Sequence, residues 1–221
     1  MTFAKQLYKG KEAQYYQYER EDMLKFVPTG TKSVLDIGCS SGGFGRLIKN
    51  NFGCEVWGVE PDAAAIQAAD VLDRVFHQPF DSSIDFGGKK FDLIVFNDVL
   101  EHLIDPWQTL SHAKSLLSQG GRILASIPNV QCYTVVKKLV FNGTFQYESS
   151  GILDKTHLRF FTKKSIRDLF EQCGLDVELI EGMHSVAPYS RLLRIVNSIA
   201  PSKADPFLYV SYAVLSQPIK S

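Results

Sequence analysis

Val34-Leu35-Asp36-Ile37-Gly38-Cys39-Ser40-Ser41-Gly42-Gly43-Phe44-Gly45 is an apolar run that breaks into glycine and serine before an apolar pattern resumes. Ser33–Ile37 reads as a buried strand, and Gly45–Asn51 has the spacing of the helix that follows the turn. Glycines directly after a strand let the chain turn tightly and let backbone approach a ligand with no Cβ in the way. The next helix points its free N–H groups and the positive end of its dipole at the same spot. Alone, such a pattern equally marks an ordinary strand-to-helix turn, so its surroundings decide the reading.

Outward from the turn, strands and helices alternate. Glu55–Glu60 reads as a second strand, and Pro61–Asp70 as a helix with proline at its first position. Arg74–Phe76 is a short third strand and Phe91–Phe96 a strong fourth. Asp105-Pro106 opens a helix that runs to about Leu117 and stops at Gly120-Gly121. Arg122–Ile127 is a fifth strand, ended by Pro128. Lys163–Cys173 is an amphipathic helix stopped by Gly174, and Val177–Glu181 and Leu208–Leu215 close the sheet. Near-continuous apolar strands separated by helices imply an α/β fold, a doubly wound and mainly parallel seven-stranded sheet covered on both faces. Three segments stand outside the alternation. They are an N-terminal cap (residues 1–30) built on an aromatic, charged helix over 5–27, and two insertions at 129–161 and 183–206. Ligands of open α/β sheets bind beyond the carboxyl ends of the strands, so these insertions are candidates for a lid or substrate wall.

The chain has 221 residues, with 45% hydrophobic and 22% charged, which fits one domain over residues 1–221 with a full core. Lys plus Arg and Asp plus Glu are 24 each, and the basic pairs are scattered, which argues against a long nucleic acid as partner. Cys39, Cys54, Cys132 and Cys173 lie far apart, giving neither a zinc knuckle nor a disulfide framework. No apolar run approaches the roughly 18 residues of a membrane span, so a cytoplasmic protein is expected.

Two carboxylates sharpen the reading of the turn. Asp36 lies inside the end of the first strand. Glu60 ends the second, where a carboxylate is placed to accept both hydroxyls of a ribose. Nicotinamide enzymes also put an acid there, but their GxGxxG fingerprint is absent: this turn reads GxSxG. The acid-before-glycine arrangement resembles the class I S-adenosylmethionine (SAM)-dependent methyltransferases. The resemblance covers most of residues 15–175, including Phe91–Pro106 (FDLIVFNDVLEHLIDP) and Leu116–Asn129 (LLSQGGRILASIPN). Gly151–Thr162 (GILDKTHLRFFT) resembles a subgroup found alongside glycosyltransferases.

The resemblance implies a cofactor site, with S-adenosylhomocysteine (SAH) as its product. Gly38, Cys39, Ser40 and Gly42 would pass the methionine part, with Asp36 ordering the turn and Ser40 standing where the family has a second glycine. Glu60 would hold the ribose and Pro61 would lie against the adenine. Phe80 and Asp81 would flank the adenine edge, while Pro79 sits about where the family often has an acid for the adenine amine. Asn97 and Asp98 would line the floor below the sulfonium. Tyr15, Tyr16 and Tyr18 with Arg20 would close over the cofactor, or form one face of an amphipathic surface helix.

Asp98, Glu101 and His102 follow the fourth strand, and helical spacing puts Asp98 on one face with both others. His157 follows in the first insertion. Three readings stay open. His102 or His157 is a general base oriented by Glu101; or the acids and histidines hold Mg²⁺ or Mn²⁺, resembling metal-dependent O-methyltransferases of small-RNA ends and of ubiquinone biosynthesis; or Glu101-His102 caps the helix and fixes the loop. The NDVL sequence lacks the aromatic-proline wall of amino-group methylation, and no Pro-Cys follows that strand, so oxygen is the expected acceptor. The expected acceptor is a hydroxyl of a small molecule, a sugar or glycan precursor. A quinone or phenol is the first alternative, and a non-catalytic SAM-binding module the second.

Overall fold

The computed structural model describes residues 20–186 and 191–219. Its seven strands are β1 (Ser33–Ile37), β2 (Glu55–Val59), β3 (Arg74–Phe76), β4 (Phe91–Asn97), β5 (Leu117–Pro128), β6 (Leu175–Ser185) and β7 (Tyr209–Pro218). They form one sheet in the order β3-β2-β1-β4-β5-β7-β6. The pairs from β3 through β5 are parallel, whereas β7 runs antiparallel to both β5 and β6. The sheet is therefore mixed at one edge. Strand order reverses between β1 and β4, which opens a crevice at the carboxyl ends of these two strands.

Alternation along the strands sends side chains to two cores. Leu35, Ile37, Ile94 and Phe96 pack on one face with Leu110, Ile166 and Phe170. These come from α3 (Pro106–Ser115) and α5 (Lys163–Gln172). Val34, Val56, Leu93 and Val95 pack on the other face with Phe44 and Ile48 of α1 (Gly43–Phe52), and with Met23 and Phe26. The two starts are fixed by side chains: Asp105 Oδ1 accepts the Gln108 N–H at 2.9 Å, and Thr162 and Ser165 form a capping box.

Several boundaries differ from the sequence reading, each for a local reason. Of the N-terminal cap only residues 20–30 are described, and they hold a short 3-10 helix, Glu21–Phe26; Tyr15, Tyr16 and Tyr18 lie outside the described residues. The helix expected over Pro61–Asp70 shrinks to α2, Ala65–Ala68. The Asp62 N–H is taken by the Glu60 carboxylate instead, which holds this segment in a turn. Gly120-Gly121 sits inside β5, at an irregularity where its pairing with β4 shifts register. The insertion at 129–161 contains α4 (Tyr133–Asn142) followed by a long loop. That at 183–206 takes in the end of β6, then α6 (Arg191–Ile199) and most of α7 (Pro201–Leu208). No helix among the described residues is long and apolar enough to cross a membrane.

The glycine-rich turn is seated on β2 through Gly58. A Cβ built there would lie 2.6 Å from Cys39 Sγ and 2.8 Å from Leu72 Cδ1. Overpacking of this kind costs about 1–3 kcal/mol. Gly58→Ala is expected to lower the urea-unfolding free energy by that amount, and an unchanged midpoint would show the turn to be free to shift.

Candidate active site

The crevice at the ends of β1, β2 and β4 is a cavity of about 560 Å³. Asp36, Gly38, Cys39, Ser40, Glu60, Pro61, Phe80, Asn97, Asp98 and His102 all line it. A second, smaller chamber of about 190 Å³ adjoins it and is lined by Glu101, His102, Asp154, His157 and His184 among others. Arg20, Asp98 and His102 line both. Most of the residues named from sequence therefore gather in one region, which the structure divides into two compartments.

The turn is held from below. The backbone N–H groups of Gly38 and Cys39 donate to the Val59 carbonyl at 2.8 and 3.3 Å. Ser40 has φ +51°, a left-handed conformation natural to the glycine it replaces, and in it the Ser40 N–H donates to Glu60 Oε2 at 2.9 Å. Asp62 N–H donates to Glu60 Oε1 at 2.8 Å, so both carboxylate oxygens are fixed at the cavity wall. Burial raises the Glu60 carboxyl above the ordinary carboxylate range, although these two N–H groups oppose it. Asp36 is pushed up to about 7, chiefly by burial and further by the charge of Glu60. Burial likewise raises the Cys39 thiol, which packs toward Gly58 and is not poised as a nucleophile.

Two expected residues lie away from the cavity wall. Gly42 is the left-handed N-cap of α1, where a Cβ would meet Val71 Cγ2 at 2.7 Å; its small size serves packing against the segment after α2. Asp81 is exposed, and its carboxylate accepts the Ser83 N–H at 2.8 Å, which holds its pKa low. Asn97 does face the cavity, with both polar atoms of its amide buried and lacking a hydrogen-bond partner among the described residues. Such an amide is costly unless something else satisfies it.

At the junction of the compartments, the expected grouping of Asp98 with Glu101 and His102 does not form. Asp98 has φ +54° and is not helical; only Leu100–His102 forms a 3-10 turn. The Asp98 carboxylate is bound instead by the Arg20 guanidinium, and Ser126 Oγ donates to its other oxygen at 2.9 Å. Arg20 also reaches Ser126 Oγ at 3.0 Å and Asp22 Oδ1 at 3.2 Å, and Asp22 in turn lies 3.4 Å from His184 Nε2. Ser126, not singled out from sequence, was visible there as one hydroxyl inside the apolar RILASI strand. The four non-glycine residues with positive φ among those described are Arg20, Ser40, Asp98 and His184, and each lines one of the two compartments. Backbone strain persists where surrounding contacts over-determine it, as they do here.

Glu101, His102 and His157 come together without Asp98, with one candidate ligand atom from each lying within 4.8 Å of the others. His102 Nδ1 is 3.1 Å from the Thr156 carbonyl and His157 Nδ1 is 3.0 Å from the Ile152 carbonyl. A carbonyl only accepts, so each Nδ1 carries the proton it donates there. His157 Nε2 is 4.0 Å from Glu101 Oε1. One carboxylate and two imidazoles this close together make a donor set that could hold a metal ion. The loop bearing His157 is anchored to the same element: the Leu158 and Arg159 N–H groups both donate to the Glu101 carbonyl, at 2.8 and 3.0 Å.

Residues 12–180 match the methyltransferase domain family. The chain belongs to this family of SAM-dependent methyltransferases. Among its relatives, the human mitochondrial ubiquinone biosynthesis O-methyltransferase is 26% identical over 189 residues, covering 74% of this chain and 48% of the human protein. The corresponding Cereibacter sphaeroides enzyme is 26% identical over 169 residues, covering 73% of this chain and 67% of its own. This methyltransferase thus spans about half the length of the human relative. In structure it is similar to a SAM-dependent methyltransferase from Archaeoglobus fulgidus, with a TM-score of 0.64 at 21% identity over 88% of this chain and 90% of that one. It is also similar to the plantazolicin methyltransferase BpumL in complex with SAH, with a TM-score of 0.60 at 17% identity over 93% and 80% of the two chains. These structural likenesses establish the fold.

The raised Asp36 carboxyl has a measurable consequence. An unfolded aspartate titrates near pH 4, so between about pH 4 and 7 the folded methyltransferase holds a proton that the unfolded chain has lost. Stability of the ligand-free protein is then expected to fall as pH rises through that window. Asp36→Asn should flatten the melting-temperature profile there, and an identical slope in wild type and variant would show that Asp36 does not titrate in it.

Proposed function

We propose that this methyltransferase moves the methyl group of SAM to a hydroxyl on the ring of a small aromatic acceptor, with a divalent cation held by Glu101, His102 and His157. The observation that carries the reading is the convergence of those three ligand atoms within 4.8 Å, in a chamber adjoining the larger cavity. The donor set fits a metal: two imidazoles with fixed tautomers and one carboxylate suit Zn²⁺ or Mn²⁺ better than Mg²⁺. When bound, such a cation lowers the pKa of an acceptor hydroxyl and supplies the oxyanion that attacks.

The chain's own residues do the rest. Ser40 and Asp62 orient Glu60 so that its remaining lone pairs accept from the ribose hydroxyls. The Asn97 amide, without a partner among the described residues, serves the amino-acid end of the cofactor. Arg20 and Ser126 hold Asp98 at the junction, where its charge faces the sulfonium. Methyl transfer is an in-line displacement, so this positioning supplies much of the rate.

An aromatic hydroxyl is favoured over the sugar hydroxyl expected from residues 151–162 because relatives that match about three quarters of the chain are named for ubiquinone biosynthesis. The mutual ring cluster of Phe145, Tyr147 and Phe160, with Phe160 at 6.3 Å from His157, would stack on either.

A chelator should abolish turnover of catechol-type acceptors, and Zn²⁺ or Mn²⁺ should restore it. Glu101→Gln should remove Mn²⁺ binding in calorimetry and His102→Ala should lower turnover on the order of 100-fold with SAM affinity intact. Full activity in chelator would sink the metal, and methylation of sugar nucleotides in preference to catechols would reverse the acceptor. Glu60→Ala should weaken SAM binding about 10- to 100-fold, since hydrogen bonds to a charged acceptor are lost; unchanged affinity would remove Glu60 from the cofactor site.

A further inference from the structure

One end of the larger cavity is closed by Pro79, Phe80, Leu103 and Thr109. Thr109 and His112 lie three residues apart on α3 and share a face of that helix. The His112 ring is 5.0 Å from the Phe80 ring, so that face of α3 meets the segment after β3. Phe80 and Thr109 therefore lie on the same side of the cavity. An adenine placed there finds flat apolar surface for its faces in Pro79 and Phe80. Its exocyclic amine, however, donates hydrogens and needs an acceptor.

Neither expected partner supplies one. Pro79 has no polar side chain, and Asp81 is exposed with its carboxylate engaged by the Ser83 N–H. Thr109 is different. Its hydroxyl donates to the Asp105 carbonyl at 3.1 Å, on a helix start fixed by the Asp105 cap and Pro106. Thr109 lines the cavity, and with its proton committed to that carbonyl its oxygen has only lone pairs left to offer a ligand.

We propose that Thr109 is a specificity-determining residue for the cofactor, accepting a hydrogen bond from the exocyclic amine of the adenine and so distinguishing adenine from its deaminated form. The inference rests on the family's cofactor and is independent of the acceptor and metal reading. A hypoxanthine ring carries an oxygen where adenine has the amine. Acceptor would then face acceptor, unless the Thr109 hydroxyl gives up its bond to Asp105.

The test is calorimetric titration of the full chain with SAH and with S-inosyl-L-homocysteine. The wild type should bind SAH about tenfold or more tightly than the inosyl analogue, as expected for one hydrogen bond gained against one repulsive contact. Thr109→Val, which keeps the side-chain shape, should weaken SAH about five- to tenfold and leave the analogue nearly unchanged, so the preference falls to about twofold. Thr109→Ser should keep the preference, as should Asp81→Asn. A preference that survives in Thr109→Val, with its melting temperature unchanged, overturns the assignment. So does a preference lost in Asp81→Asn. Binding of neither ligand by the wild type would overturn the cofactor assignment itself, an outcome that the acceptor and chelator experiments would not produce.

Discussion

Two acids buried at the ends of neighbouring strands are the constraint on which the rest of the site depends. Asp36 is 2% exposed and Glu60 8%, and β1 pairs directly with β2. Like charges this close in a low-dielectric site cannot both be ionised cheaply. The protein answers with backbone donors on Glu60 and with a carboxyl at Asp36 that keeps its proton toward neutrality. A site arranged in this way is poised for a cationic ligand bearing hydroxyls. The left-handed turn at Ser40 exists to aim one N–H at Glu60, so the shape of the turn and the electrostatics of the strand ends are one feature.

Much of this was legible in the sequence. β1 was read to the residue and β2 and β4 to within one, because buried parallel strands are continuous apolar runs. The strands at the far edge were read too short. β6 alternates buried and exposed residues as an edge strand does, and its ends outside the expected Val177–Glu181, with Asp176, Gly182, His184 and Ser185, carry no apolar run. Most of the cavity wall was named in advance, since it consists of residues at strand ends. Thr109 and Leu103 were not, nor was Ser126, which holds Asp98 from behind the wall, because each sits inside a helix, turn or strand whose local pattern is satisfied without it. Asp98 was placed in the wrong company. Helical spacing grouped it with His102, but the positive φ that turns it toward Arg20 leaves no signature in sequence.

The junction shows how a fold divides one crevice into two. Arg20 comes from the segment before β1, Asp98 from the end of β4 and Ser126 from β5, so three separate parts of the chain meet at one ion pair. Partly exposed pairs of this kind add little net stability, but guanidinium–carboxylate bonds are strongly directional. Here direction is what matters. It holds Asp98 away from Glu101 and the histidines, and it leaves His102 as the side chain common to both compartments besides the pair itself.

The tether between the loop of His157 and the main chain at Glu101 has a consequence for how such a site diversifies. Because the Leu158 and Arg159 amides close on that one carbonyl, the spacing of Glu101, His102 and His157 is set locally, over a few bonds. The stretch from α4 to residue 150 only leads into this anchored piece, and its side chains from Lys137 onward are exposed. That stretch is free to change length and character while this cluster of side chains stays in register. New acceptors are thus reachable by altering the approach, with the chemistry left untouched.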